Sequence, residues 1–179
     1  MVKKQRRLGR GVAVVGAGIT KFGIYPVGVT TADLFVEAFK AMKKSVDKGL
    51  LDEEIEALYI GNLSSDIFEK QIHLAAHVVN RIGLVPKPAL KIENACGSSG
   101  AAFREGVIAI ASGIYDVVLV GGIEKMTNLC TEEVTETLSL ALDPVSELPA
   151  GETFPGIFAT IATAHMKKHG TNMEDFMKV

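Results

Sequence analysis

Apolar residues change their period several times along this chain, and each change marks an element. Val12 to Val15 is an almost unbroken β-branched run, the pattern of a buried strand. Gly16, Gly18 and Gly23 punctuate the stretch behind it. Leu34, Phe35, Ala38, Phe39, Met42 and Val46 then recur at helical spacing. Thr30 or Thr31 is placed to cap that helix, Asp33 falls in its first turn, and Gly49 is placed to close it. Ile55 to Ile60 predicts a second strand, ending at Gly61-Asn62. Residues 71–82 predict a helix stopped by Gly83, and Pro86 and Pro88 lead into a strand at Ala89 to Ile92. A helix is predicted from Gly97 to Ser112. Tyr115 to Val120 reads as a fourth, nearly all-apolar strand, with Val117 to Val120 buried in the sheet.

Strands alternating with helices imply an α/β fold: a parallel or mixed sheet covered on both faces. After Met126 the pattern changes. Thr131 to Leu142 is amphipathic, and Asp143-Pro144, Leu148-Pro149 and Phe154-Pro155-Gly156 break the chain repeatedly before a helix from Ile157 to His169. The expected organisation is a tail at 1–10, a β-α core at 11–127 and a loop-rich lobe at 128–179.

Composition narrows the function classes. The 179 residues are 47% hydrophobic with a mean hydropathy of +0.26, which argues for a packed core rather than disorder. A net charge of −2 gives no global attraction to nucleic acid. Lys3, Lys4, Arg6, Arg7 and Arg10 concentrate positive charge at the start, where a solvated, frayed terminus is the plainer reading. Gly9, Arg10 and Gly11 interrupt any signal-peptide core, and no run is long and apolar enough to span a bilayer. Two cysteines do not make a disulfide framework, so a reducing cytoplasm is the expected compartment.

Cys96 is the first candidate for chemistry. It stands where a strand pattern gives way to a helix pattern, followed by Gly97, Ser98, Ser99, Gly100, Ala101 and Ala102. Free N–H groups and a positive dipole end at a helix start stabilise a thiolate, and small residues let a bulky partner come close. A nucleophile and a buried, inert cysteine both fit this local pattern. Gly16-x-Gly18 after a strand invites a dinucleotide fold, but the third glycine of that fingerprint falls on Lys21, so the motif fails. His73 with His77, and His165 with His169, have helical i, i+4 spacing. Neither pair carries the Glu of a zinc-protease helix, so surface or interface roles are expected rather than metal. Glu93 and Glu124 are placed either for acid–base work or, more simply, for fixing nearby backbone, and Cys130 reads as a spectator.

Four ordered motifs resemble thiolases. Asn94-Ala95-Cys96-Gly97-Ser98-Ser99-Gly100 is similar to the family's nucleophile segment. Asp116 to Thr127 resembles its strand ending in Gly-Gly-x-Glu-x-Met. Thr153 to Ala159 and Val12 to Gly23 resemble the branch that holds archaeal enzymes and sterol carrier protein. The resemblance covers residues 11–179 and implies the N-terminal half of a layered α-β-α thiolase fold, with a mostly parallel mixed sheet and part of a loop lobe. It implies Cys96 as the acyl-accepting nucleophile, with CoA thioesters as substrates and no cofactor or metal. The reaction implied is condensation of two acetyl-CoA molecules, or thiolysis of a 3-ketoacyl-CoA, in lipid or mevalonate metabolism. The partners implied are a further copy of the chain, a separate C-terminal half, and a hydroxymethylglutaryl-CoA synthase complex. The family's activating histidine and Cys-x-Gly cysteine have no match here, so the chain is expected to be an incomplete piece, inactive alone. A related condensing enzyme, either ketoacyl synthase or hydroxymethylglutaryl-CoA synthase, and a non-catalytic scaffold that binds lipids or partners are the competing readings.

Overall fold

The computed structural model describes residues 8–179. Of the basic tail, Lys3, Lys4, Arg6 and Arg7 lie outside the described residues. The chain divides into two compact units, the first ending at Asn128 and the second running Leu129–Val179.

In the first unit the elements alternate as the pattern requires: α1 (Thr31–Ser45), β1 (Ala57–Gly61), α2 (Ser65–Phe68), α3 (Leu74–Arg81), β2 (Ala89–Ile92), α4 (Ser98–Ala111) and β3 (Val118–Gly122). The strands form a three-stranded sheet of order β2-β1-β3. Leu58 pairs with Ala89 on one side and Leu119 on the other, and both pairings are parallel, so no mixed sheet forms among the described residues. Strand alternation sends Leu58, Ile60 and Leu119 into one core with Phe35 and Phe39 of α1 and Leu74 and Val78 of α3. The opposite face carries α4, where a Cβ on Gly106 would meet the side chains of Val118 and Val120. Helices therefore cover both faces.

Local chemistry explains the boundaries. Thr30 caps α1 by accepting the Asp33 N–H, and the Asp33 carboxylate accepts the Thr30 N–H in return. That helix ends at Ser45 with Val46 at its cap, earlier than the predicted stop; Gly49, at φ +75°, turns the following loop instead. Gly83 does end α3 as expected, with φ +76°.

Two strand predictions are corrected. Val12 to Val15 is not in the sheet: β1 pairs with β2 and β3, and the run forms no ladder with any of them. Val14 is 69% and Val15 63% exposed. β3 pairs only with β1 among the described residues, so it is an edge strand, and only Leu119 within Val117 to Val120 is buried.

The second unit holds α5 (Thr131–Ser139), α6 (Phe154–His169) and α7 (Met173–Phe176). Phe154-Pro155-Gly156 was expected to break the chain and instead opens α6. Pro155 sits in the first turn, where its missing N–H costs nothing and its fixed φ suits a helix. Thr153 caps the start by accepting the Gly156 N–H, and Gly170, at φ +72°, ends it. No helix of the described residues is long and apolar enough to cross a membrane.

Candidate active site

All three strands are parallel, so Gly61, Ile92 and Gly122 end at one edge of the sheet. In open α/β sheets, ligands bind beyond the carboxyl ends of the strands. The loops that leave this edge carry Asn62 to Ser64, Glu93 to Gly97, and Ile123 to Thr127.

The middle loop is the cysteine turn. Ala95 has φ +47°, a left-handed conformation that costs a non-glycine residue energy and therefore needs support. Ser98 supplies much of it: its hydroxyl accepts the Asn94 N–H at 2.8 Å and donates to the Ala95 carbonyl at 2.7 Å. Gly97 donates to the Asn94 carbonyl at 2.9 Å, and the Glu93 carboxylate takes the Ala95 N–H at 2.5 Å. Glu93 thus fixes backbone, as its position in the sequence suggested. The turn leaves Cys96 exposed, one residue before Gly97, the N-cap of α4. The N–H of Cys96 is not among the donors this network uses among the described residues. Gly97 has no side chain to cap the helix, so the first turn of α4 lacks a side-chain acceptor.

Close packing sets the height of that turn. A Cβ on Gly61 would lie 2.5 Å from the Cα of Ser99, and one on Gly122 would overlap the Ser99 side chain. Glycine at the end of both strands lets the start of α4 rest directly on the sheet.

Glu124, just past β3, reaches back across β1. Its carboxylate accepts the Leu63 N–H at 2.7 Å, the Ser64 N–H at 3.3 Å and the Asn62 side-chain amide at 3.0 Å. Asn62 also donates to the Ile123 carbonyl and accepts the Ser65 N–H. Burial pushes the Glu124 carboxyl above the usual carboxylate range, against the pull of these donors and of Lys91. Glu124 therefore acts on the loops here. Lys125, which sequence reasoning passed over, is only 3% exposed and donates through Nζ to the Val29 carbonyl ahead of α1. Its one signal in the sequence is its position directly behind the strand-end glycines.

The other candidates are elsewhere. Cys130 is an exposed free thiol at the N-cap of α5, in the second unit. His73 is not a helix-face residue: it is the N-cap of α3 with φ +61°, so the first histidine pair does not share a helix. His165 and His169 do share α6, with ring centroids 4.6 Å apart and His165 Nδ1 2.9 Å from Thr171 Oγ1.

The sequence pattern of the family described as thiolase, N-terminal domain matches residues 12–175. The chain belongs to the thiolase family. Among curated relatives, this thiolase domain is 37% identical over 170 residues to an acetyl-CoA acetyltransferase of Methanothermobacter thermautotrophicus, covering 95% of this chain and 43% of that protein. It is 36% identical to an acetyl-CoA acetyltransferase of Methanocaldococcus jannaschii, over 93% of this chain and 41% of the relative. Sterol carrier protein 2 of Gallus gallus is 27% identical over 95% of this chain and 31% of its own length. The chain thus spans about two-fifths of the archaeal relatives it matches. The crystal structure of a β-ketoacyl-[acyl carrier protein] synthase III from Thermus thermophilus shares the fold, with a TM-score of 0.51 and 20% identity over 65% of this chain and 35% of that one.

Proposed function

We propose that this thiolase domain supplies the acyl-accepting half of an acetyl-CoA acyltransferase, with Cys96 as nucleophile. The observation that carries the reading is the turn itself: an exposed thiol held ahead of an uncapped helix start, on a supported left-handed Ala95, at the carboxyl edge of a parallel sheet. Cys96 Sγ attacks the carbonyl carbon of an acyl-CoA, the C–S bond to CoA breaks, and CoA leaves as its thiol after taking up a proton. The Cys96 N–H and the first turn of α4 offer donors where negative charge collects on the thioester oxygen. The enolate of a second acetyl-CoA then attacks the acyl-cysteine, forming the new C–C bond and releasing the Cys96 thiolate. Thiolysis is the same path reversed. No cofactor is needed, because a thioester carbonyl is already electrophilic and its α-protons are already acidic.

The groups that activate Cys96 and deprotonate the second acetyl-CoA are, in this reading, supplied by the C-terminal thiolase domain. The 179 residues alone are then inactive at enzyme-like rates. General acid–base groups are each worth about 10²–10⁴-fold.

The test is to complete the domain with a C-terminal half, incubate it with acetyl-CoA, and locate the acetyl group by peptide mass spectrometry. Label on Cys96 and loss of both label and turnover in Cys96→Ala are the expected results. Undiminished turnover in Cys96→Ala overturns the assignment. The 179-residue chain assayed alone with acetoacetyl-CoA and CoA should show no turnover, and full activity from it would refute the division of labour.

A further inference from the structure

We propose that Glu124 is a positioning residue for Cys96: its carboxylate sets the height and rigidity of the cysteine turn by clamping the β1 loop to the end of β3. The inference rests on the reading of Cys96 as the reacting group. Its mechanical path is short. Glu124 holds Leu63, Ser64 and Asn62, the residues that immediately follow Gly61. Gly61 is the residue against which the backbone of Ser98 and Ser99 is packed, and its carbonyl accepts the Ile123 N–H at 3.1 Å. Gly122, two residues before Glu124, touches Ser99 from the neighbouring strand. Ser99 is therefore gripped between two strand ends that Glu124 ties together, and Ser98 is the residue whose hydroxyl holds the Asn94–Ala95 turn. A displacement of the β1 loop is passed to the cysteine through the Gly61 contact with the Ser98–Ser99 backbone and then through the short Ser98 hydroxyl brace.

The clamp depends on charge. Both carboxylate oxygens accept N–H donors, so a proton placed on either oxygen faces an N–H and weakens the grip. Three other charged groups bear on this one. Lys91 of β2 attracts the carboxylate, and its Nζ also lies 3.4 Å from the Leu63 carbonyl and 3.6 Å from Asp66 of α2. Asp66 is engaged by Lys91 and by the Ser64 hydroxyl. Lys125 is turned toward Val29. Burial raises the Glu124 carboxyl above its usual range, which brings its protonation closer to neutrality than that of an exposed carboxylate. Cys96 reactivity should therefore step down as Glu124 takes up its proton on acidification, and the step should follow Glu124 in the variants.

The experiment uses the full chain in a Cys130→Ala background, so that Cys96 alone reports. Its reaction with 2,2′-dithiodipyridine, a reagent that modifies thiols in acid, is followed across the acid and neutral range. The parent should show an acid-side inflection with a several-fold change in rate. Glu124→Gln, which keeps the shape but cannot titrate, should abolish the inflection. Asn62→Asp, which sets a second carboxylate against Glu124, should move it to higher pH. An inflection unchanged in both variants overturns the proposal, as does a parent profile without one. If Glu124→Gln fails to fold by circular dichroism, the Asn62→Asp shift decides alone. Acetyl labelling of Cys96 in the completed enzyme separately tests the nucleophile assignment. Labelled Cys96 with an unchanged profile therefore rejects this inference and leaves the proposed function standing.

Discussion

Gly61 and Ser99 meet backbone to backbone, so closely that a methyl group on Gly61 would sit 2.5 Å from the Ser99 Cα. The obstacle is main chain on both sides, and relief requires α4 to move off the sheet. Gly61→Ala is expected to destabilise the domain by about 1–3 kcal/mol, the range of overpacking in a filled core. Gly100 makes the control. It lies inside α4 with open space where a Cβ would go, so Gly100→Ala should raise stability by about 0.5–1 kcal/mol through helix propensity. Urea denaturation of the two variants against the parent measures both, and equal behaviour would contradict the packing described.

Asp33 should contribute to acid sensitivity. The Thr30 N–H and hydroxyl, and then Arg81, hold its carboxyl below the ordinary value of 3.8. A carboxyl depressed in the folded state adds stability above its unfolded pKa and loses it as pH falls through the folded value. Parent and Asp33→Ala should differ most at neutral pH and converge as the pH falls through the depressed folded value in thermal unfolding. The Arg81 share of the difference should be below about 1 kcal/mol, since that pair is exposed.

Cys130 should be a sluggish thiol. The Glu133 N–H draws its pKa down, but the carboxylates of Glu132 and Glu133 outweigh that pull and the thiol ends above its usual range. Less thiolate means slower alkylation. Glu132→Gln should accelerate modification of Cys130 by iodoacetamide at neutral pH, read by peptide mass spectrometry. An unchanged rate would show that the Glu132 contact is not held in solution.

The start of α6 depends on one hydroxyl. Thr153→Ala removes the acceptor for the Gly156 N–H and should cost about 1 kcal/mol locally. Hydrogen exchange should report this as lost protection in the first turns of α6, with the β-α unit unaffected.

Much of the first unit was legible because its elements carry their own punctuation. Thr30 with Asp33 marks the start of α1, Gly83 the end of α3, and Pro88 the approach to β2. The start of α4 behind Cys96 was readable from the change of period. What failed were features decided by partners. Val12 to Val15 has the composition of a buried strand, but a strand exists only with a ladder, and this run pairs with none of the three strands. Pro155 read as a breaker because proline stops a helix that reaches it; here the helix begins there, and only the Thr153 cap shows which case applies. At the site, the cysteine and both glutamates could be picked out by position. The left-handed Ala95 and the buried Lys125 could not, because the first is a backbone angle and the second is defined by Val29, distant along the chain.

The unpaired flank of β3 bears on how this polypeptide behaves at high concentration. Val117-Val118-Leu119-Val120 combines strong strand preference with no charge and no proline, and its outer N–H and C=O groups meet no ladder among the described residues. Such a segment is a template for adding strands from other molecules. Mild warming or dilute denaturant, which frays edges before it melts cores, should drive the domain toward β-rich aggregates well below its global unfolding point. A lysine placed at Val120 would interrupt that growth at the cost of packing against α4.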